Sequence, residues 1–254
     1  MGAGHSHALY VHEHSPVHGL APETKIAAAF GVVLCVAVTP RDALWAFGLY
    51  ALLVAGLVTA SRIRFGFVAL RLLAITPFVL FAFFIPFVAS GERTEIWGIS
   101  VSVEGLWGAW NIFAKAALGA SVSIVLTATT EIPDIIRGLG KLRVPALFTS
   151  IAMFMVRYLE LISDELRRMR VAMTSRGYDP RWLYQARPIA SSAGALFIRS
   201  YERGERVHEA MLARGFTGEM PNLGHRSAAP KEWVWVGLVV SAAGLVAVVA
   251  LVVT

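Results

Sequence analysis

The chain has 254 residues, of which 56% are hydrophobic and only 16% are charged, and its mean hydropathy is +0.62. These values lie outside the usual range of soluble globular chains and predict a membrane protein. The net charge of +6 does not indicate nucleic-acid binding, because the sequence has no zinc-ligand spacing, no stacking platform and no basic helix separate from a membrane flank. The single cysteine, Cys35, excludes an internal disulfide framework, and we assign it no function.

Five apolar segments are candidate transmembrane helices, since about 20 predominantly apolar residues are needed to cross a bilayer. Charge-free runs cover residues 26–40, 43–61, 72–91, 116–130 and 233–254, and the fourth extends back to about residue 105 through Lys115. Pro77 and Pro86 allow a kink in the third run, although proline in membrane helices also serves ordinary packing. The sequence therefore predicts an all-α membrane protein with about five transmembrane helices.

The distribution of Lys and Arg predicts the orientation of these helices. The connection that holds Arg62, Arg64 and Arg71 is basic, whereas the loop at 91–104 is net acidic, and basic loops stay in the cytoplasm. We therefore expect a multi-pass protein of the inner (plasma) membrane with a cytoplasmic N-terminus. Its predicted parts are a His-rich cytoplasmic segment over 1–24, four transmembrane helices within 25–130, a cytoplasmic module over 131–231 and a last transmembrane helix over 232–254.

The cytoplasmic module is predicted to contain one short and two long helices. Apolar residues at 132, 135, 136 and 139 recur at amphipathic spacing, which predicts a short helix along the membrane surface. A longer helical pattern with a heptad stripe runs to Ser175, and a third runs from about Pro188 to Arg214. The residues predicted to pack these two long helices are Leu159, Leu166, Met169 and Met173 in the first and Phe197, Gly204, Val207 and Met211 in the second.

Both long helices end in the same motif, "AMTSRGY" at 172–178 and "AMLARGF" at 210–216. The glycine predicts a left-handed helix end, and the preceding arginine adds a cation at the negative end of the helix dipole. A small residue beside each arginine leaves room for a partner to enclose the planar guanidinium. We therefore predict two docking elements, the first tip (Ser175, Arg176 and Gly177) and the second tip (Ala213, Arg214 and Gly215). A helix stop with no further role is the alternative reading.

The paired motifs resemble those of the transmembrane T component of energy-coupling factor (ECF) transporters. The stretch "SPVHGLAPETK" at 15–25 resembles that family's approach to its first membrane helix, and the form "AMLARGFTG" is most similar to the cobalt-type branch, CbiQ. The resemblance implies that the two tips dock into two ATPase subunits and that the chain passes their motions to a substrate-binding S component. It implies uptake of Co²⁺, or less expectedly Ni²⁺, with the ion bound mainly by a partner. Ser175 is the one departure, because the usual motif has alanine there.

The resemblance also implies that no cofactor binds to this chain, because ATP and Mg²⁺ belong to the ATPase subunits. Membrane lipid and a small accessory membrane subunit are further partners that it allows. The sequence has no phosphate-binding loop, zinc-binding HExxH helix or nucleophile elbow, so we expect a subunit that is not itself an enzyme. Two alternatives stay open: a permease subunit of another ABC-type transporter, and an intramembrane enzyme whose acidic candidates are Glu131, Asp134 and Glu160.

Two further features have a functional and an ordinary interpretation. HxH and HEH spacings in the N-terminal segment could offer imidazoles to a late transition metal, but a cytoplasmic tail is on the wrong side for capture, so we expect a dispensable tail with metal buffering as the alternative. The five histidines are His5, His7, His12, His14 and His18. Lys115 within the fourth predicted membrane helix is a functional candidate, with snorkelling or pairing with Asn111 as the alternative.

Overall fold

The structure, a computed structural model, describes residues 15–88, 93–96, 99–179, 183–218 and 227–253. Most of these residues are helical: α1 (Pro22–Val38), α2 (Leu44–Ala60), α3 (Phe65–Leu72), α4 (Thr76–Val88), α5 (Val103–Thr129), α6 (Ile132–Lys141), α7 (Ala146–Ser175), α8 (Arg187–Leu212) and α9 (Pro230–Val253). The predicted all-α membrane fold class is confirmed. A short antiparallel strand pair, β1 (Arg93–Ile96) and β2 (Ile99–Ser102), lies within the predicted loop at 91–104.

Among the described helices, α5, α7 and α9 are long and apolar enough to cross a membrane by length and composition, and α2 is a shorter apolar helix. Helices α5 and α9 coincide with the fourth and fifth predicted membrane helices. Helix α7 meets the same criterion although the sequence places it in the cytoplasmic module, because its first half is almost entirely apolar. The third predicted membrane helix is not continuous, since a 3-10 turn (Leu73–Ile75) separates α3 from α4. Pro77 is the second residue of α4, where its missing N–H costs no hydrogen bond.

The chain divides into two units. The first, which we call the bundle unit, comprises the described residues of 15–138 and 227–253. The second, which we call the hairpin unit, comprises the described residues of 139–218. The unit boundary falls within α6, between Gly138 and Leu139.

Small residues allow close helix packing in the core of the bundle unit. Helix α1 packs against α9 and α5, and α5 also packs against α2, α3 and α4. On α9 the buried stripe is Ala243, Ala247 and Ala250, and a Cβ at Gly31 of α1 would lie 2.8 Å from Val240 Cγ2. Such small residues are typical of helix interfaces in membranes, where backbones approach closely. Cys35 is half-buried in this core.

A glutamate in the first turn of each of α1 and α9 accepts a hydrogen bond from the backbone just before the other helix. Glu23 in the first turn of α1 accepts a hydrogen bond from the backbone N–H of Ala228, just before α9, at 2.9 Å. Glu232 in the first turn of α9 accepts one from the backbone N–H of Ala21, just before α1, also at 2.9 Å. Carboxylates are favoured at helix N-termini because unpaired N–H groups and the helix dipole attract negative charge. Helices α1 and α9 therefore start side by side and run parallel.

Lys25 connects the same place to the end of α5. Its ammonium group donates to Thr129 O at 2.9 Å, Thr130 Oγ1 at 3.2 Å and His18 O at 3.2 Å. Helix α5 therefore ends where α1 and α9 begin. We call the buried group of Glu23, Lys25, Thr129, Thr130 and Glu232 the junction; its members are between 3 and 8% exposed.

Candidate docking site

The first tip ends α7 in a defined backbone motif. The N–H of Tyr178 donates to Met173 O at 3.1 Å, and the N–H of Gly177 donates to Thr174 O at 2.9 Å. These are the two hydrogen bonds of the Schellman motif, which requires a left-handed residue just past the helix. Gly177 supplies it with a φ of +79°, a conformation that costs glycine little because it has no Cβ.

The second tip repeats this geometry at the end of α8. The N–H of Phe216 donates to Met211 O at 3.0 Å, and the N–H of Gly215 donates to Leu212 O at 2.9 Å. Gly215 has a φ of +80°. The repeated sequence motif is therefore also a repeated structure, with an arginine directly before each left-handed glycine.

Both tip arginines are presented to solvent. Arg176 and Arg214 are exposed, and within the described parts of the chain neither guanidinium has a hydrogen bond or an ion pair. The hydroxyl of Ser175 donates to Val171 O of its own helix at 3.0 Å, so serine at this position adds no outward polar group. Ala213 has only a methyl side chain, which is too small to cover the second arginine. The role of these residues in docking stays a prediction.

Helices α7 and α8 lie antiparallel in the hairpin unit. Near the end of α7, the hydroxyl of Ser192 in α8 lies 3.3 Å from Met173 Sδ. At the other end, a groove of about 410 Å³ is lined by Phe154 of α7 and Met211 of α8, among others. The first tip therefore lies beside the start of α8, and the second tip lies beside the start of α7.

The residues that the structure places in the α7–α8 seam overlap only partly with the predicted packing residues. The seam positions, all buried or half-buried, are Tyr158, Ile162, Glu165, Met169 and Met173 in α7 and Ser192, Leu196, Ser200, Arg203, Val207 and Met211 in α8. Gly204 lines the groove. Leu159, Leu166 and Phe197 are instead 61, 39 and 71% exposed, because the seam follows positions adjacent to the predicted heptad stripe.

Glu165 at the middle of the seam was not singled out from the sequence. It is 8% exposed, and its two carboxylate oxygens accept from Arg199 and Arg203 of α8, both at 3.3 Å. The hydrogen bond from Arg199, together with that from Arg203, holds the pKa of this carboxyl below its usual value of 4.5. Arg199 and Arg203 are four residues apart on one face of α8, and this spacing could have indicated that both bind one acidic side chain. The sequence alone does not identify Glu165 as that side chain.

Lys115 caps a helix end in the bundle unit. Its ammonium group donates to Ala37 O, one of the last carbonyls of α1, at 2.8 Å. Asn111 Oδ1 is buried and has no hydrogen-bond partner among the described residues, so Lys115 does not pair with it. A cation at a helix C-terminus satisfies a carbonyl that has no partner within its own helix.

The acidic and metal-binding candidates are not assembled into a site in the described structure. Asp134 is engaged by Arg137, one turn further along α6, and Glu160 is exposed on α7. No group of three or more His, Cys, Asp or Glu side chains that could hold a metal occurs among the described residues. The ring of His18 shares a hydrogen bond with Ser15 Oγ at 2.7 Å. The other four N-terminal histidines, His5, His7, His12 and His14, lie outside the described residues.

Comparison with known proteins points to a transport family. The family model described as "Cobalt transport protein", CbiQ, matches residues 13–226. The chain is 31% identical to the cobalt transport protein CbiQ of Rhodobacter capsulatus over 52% of this chain and 54% of that protein. It is 27% identical to the energy-coupling factor transporter transmembrane protein EcfT of Bacillus subtilis over 90% of this chain and 89% of that protein.

A third relative is an uncharacterised protein of Methanocaldococcus jannaschii, 30% identical over 49% of this chain and 43% of that protein. The chain thus spans about half the length of two of these curated relatives and nearly all of EcfT.

Proposed function

Since the chain belongs to the CbiQ family of cobalt transport proteins, we propose that it is the T component of an ATP-driven ECF importer. In this role it is a subunit that is not itself an enzyme and carries the motions of two ATPase subunits to a substrate-binding S component. The observation that carries the proposal is the pair of matched arginine tips. They have the same backbone geometry and no partner within the described chain, as expected of docking elements.

The spacing of the tips supports two separate ATPase subunits. Glu165 and Arg203 are in contact at the middle of the seam, and each lies 11 residues before its own tip arginine. At 1.5 Å per residue, Arg176 and Arg214 are roughly 33 Å apart along the helix pair. That separation is too large for two arginines to enter one groove, so each tip engages one subunit. ATP and Mg²⁺ belong to those subunits.

The junction supports the proposed topology. The starts of α1 and α9 and the end of α5 meet there, and these are three ends that the distribution of Lys and Arg assigns to the cytoplasmic side. In the proposed topology, the protein lies in the inner membrane with its N-terminus and the module over 131–231 on the cytoplasmic side. The proposed substrate is cobalt, after the family description, with the ion bound mainly by the S component.

The proposal is tested by purifying the tagged chain with its partners from native membranes in mild detergent, then measuring ATP-driven metal uptake in proteoliposomes. Alanine at Arg176 or Arg214 removes charge-assisted hydrogen bonds and leaves partner groups unpaired, which costs about 2 to 5 kcal/mol per site where the contact is buried. Each single change is expected to weaken assembly or coupling, and the double change is expected to abolish transport. Lysine is expected to rescue poorly, because it lacks the planar fork of arginine.

Arg170 provides a matched control, because it is an exposed arginine of α7 that lies before the tip. Arg170→Ala is expected to leave ATPase binding and uptake unchanged. A double tip variant that keeps wild-type ATPase binding and full uptake would falsify the docking role. Catalytic activity of the purified chain without partners would favour the intramembrane-enzyme alternative.

A further inference from the structure

We propose that the junction and Gly138 anchor α6 to the bundle unit, so that Lys25, Thr130 and Gly138 are positioning residues for coupling. The inference rests on the proposed function. It goes further by assigning a role to residues that lie away from both tips. Helix α6 is the first helix of the predicted cytoplasmic module and leads directly into α7.

Gly138 is held against the first turn of α1. A Cβ at this position would lie 2.9 Å from Ile26 Cδ1, 3.0 Å from the backbone nitrogen of Glu23 and 3.1 Å from the backbone carbon of Pro22. Two of these three neighbours are backbone atoms, which cannot rotate away. Glycine weakens a helix interior relative to alanine, and this close approach is the packing reason for its presence in α6.

The start of α6 is fixed to the same turn of α1 by hydrogen bonds. Thr130, which directly follows α5, is separated from α6 by a single residue, Glu131. Its hydroxyl and the carbonyl of Thr129 both accept from the ammonium group of Lys25. Helix α6 is therefore held at two points, before its first turn and again at Gly138.

Hydrogen bonds also fix the first turn of α1, against which Gly138 of α6 packs. Glu23 and Glu232 join it to the start of α9, and Lys25, two residues after Glu23, carries the opposite charge. The exposed fraction of the residue is 4% for Glu23, 6% for Glu232 and 8% for Lys25. Separating buried charged groups from their partners is strongly unfavourable, so α6 and this turn move as one body. Displacement of the module is thereby passed to α1, α5 and α9.

The sequences at the starts of α1 and α9 are similar. Residues 21–24 read "APET" and residues 229–232 read "APKE", so each helix starts with Ala-Pro and has a glutamate in its first turn. In an ordinary capping box, the glutamate reaches back to its own helix start. Here each glutamate reaches to the start of the other helix.

Two substitutions with matched controls test the inference in the complete transporter. Gly138→Ala forces α6 away from α1, whereas Gly140→Ala, one half-turn further on, meets only an ordinary contact at 3.7 Å. Thr130→Val removes an acceptor of Lys25 at nearly constant volume. Thr127→Val removes a hydroxyl that bonds only within α5.

The deciding measurement is metal imported per ATP hydrolysed, with the amount of assembled complex determined separately. Gly138→Ala and Thr130→Val are expected to keep ATPase binding and ATP hydrolysis but to lower uptake per ATP by about three- to thirtyfold, while both controls match wild type. Lys25→Arg is expected to retain more uptake per ATP than Lys25→Met. If Gly138→Ala does not accumulate in the membrane, Thr130→Val decides.

Uptake per ATP equal to the control in Thr130→Val overturns the inference, as does a loss of assembled complex with unchanged uptake per ATP. These outcomes leave the proposed function intact, because wild type still imports metal with its ATPases. If wild type neither binds ATPase subunits nor imports metal, the proposed function fails first.

Discussion

Valine in place of either tip glycine is expected to weaken ATPase binding without unfolding the chain. Gly177 and Gly215 have φ values of +79° and +80°, and an L-residue in this conformation costs about 1 to 2 kcal/mol. No heavy atom lies within 4 Å of a Cβ built at either position, so the cost is conformational and does not come from a clash. If the helix end presents the arginine to the proposed ATPase subunits, this cost is expected to lower their affinity by about 5- to 30-fold.

The affinity is measured by titrating purified ATPase subunits onto the detergent-solubilised chain immobilised at fixed density. Gly177→Asn is the matched variant, since asparagine tolerates the left-handed conformation, and it is expected to bind much more tightly than Gly177→Val. Gly194→Ala in α8 is a control at an open helical position and is expected to bind like wild type. Gly177→Val and Gly215→Val binding as tightly as wild type would refute the reasoning that the helix end presents the arginine.

Four further predictions concern topology, the N-terminus, a lysine in a predicted membrane helix and pH. In a Cys35→Ala background, an impermeant thiol reagent applied to intact cells is expected to label a cysteine at position 93 and not one at position 180, because only the first is predicted to lie outside; the reverse pattern inverts the topology. Deletion of residues 1–14 is expected to leave most metal uptake intact, and complete loss with normal assembly contradicts a dispensable tail. Lys115→Met removes the hydrogen bond to Ala37 O. It is therefore expected to lower the free energy of unfolding by about 1 kcal/mol and to reduce the Tm, while uptake per complex persists. Abolished uptake at normal protein levels instead indicates a role in transport. Because the pKa of Glu165 is lowered, its contribution to the seam is complete above the usual carboxyl range and is lost as pH falls through the folded pKa. The difference between wild type and Glu165→Gln in the free energy of exchange, obtained from protection factors, is therefore expected to stay constant from about pH 6 to about pH 8. A marked change within that range would show that the carboxyl titrates there, which contradicts a lowered pKa.

The helix ends could be predicted from the sequence because their causes are local. The Schellman motif is determined by about six consecutive residues, and the pattern of Arg-Gly plus an aromatic contains the necessary glycine. The left-handed φ of Gly177 and Gly215 agrees with that expectation. The break before α4 also has a local cause, since Pro77 cannot donate the helical hydrogen bond to residue 73. The sequence indicated that Pro77 allows a kink but not that α3 ends before it.

The seam and the junction could not be predicted because they join distant residues. A heptad stripe predicts that a helix has an apolar face, but the facing residues of the partner helix determine which positions become buried. Glu165 was therefore missed, although it is among the most buried residues of α7. In the junction, Lys25 meets Thr129 across 104 positions, a separation at which no local pattern carries information.

The antiparallel seam gives the hairpin unit an approximate two-fold symmetry. The two tips are 38 positions apart, and Glu165 bonds to Arg203, which is also 38 positions away. A residue in contact with its own repeat equivalent lies on a two-fold axis, so the axis passes through this ion pair. The same rotation relates the contact of Met173 with Ser192 to the position of Met211 and Phe154, which line the same groove. In the proposed assembly, two equivalent ATPase subunits related by such an axis would each meet one tip in the same way.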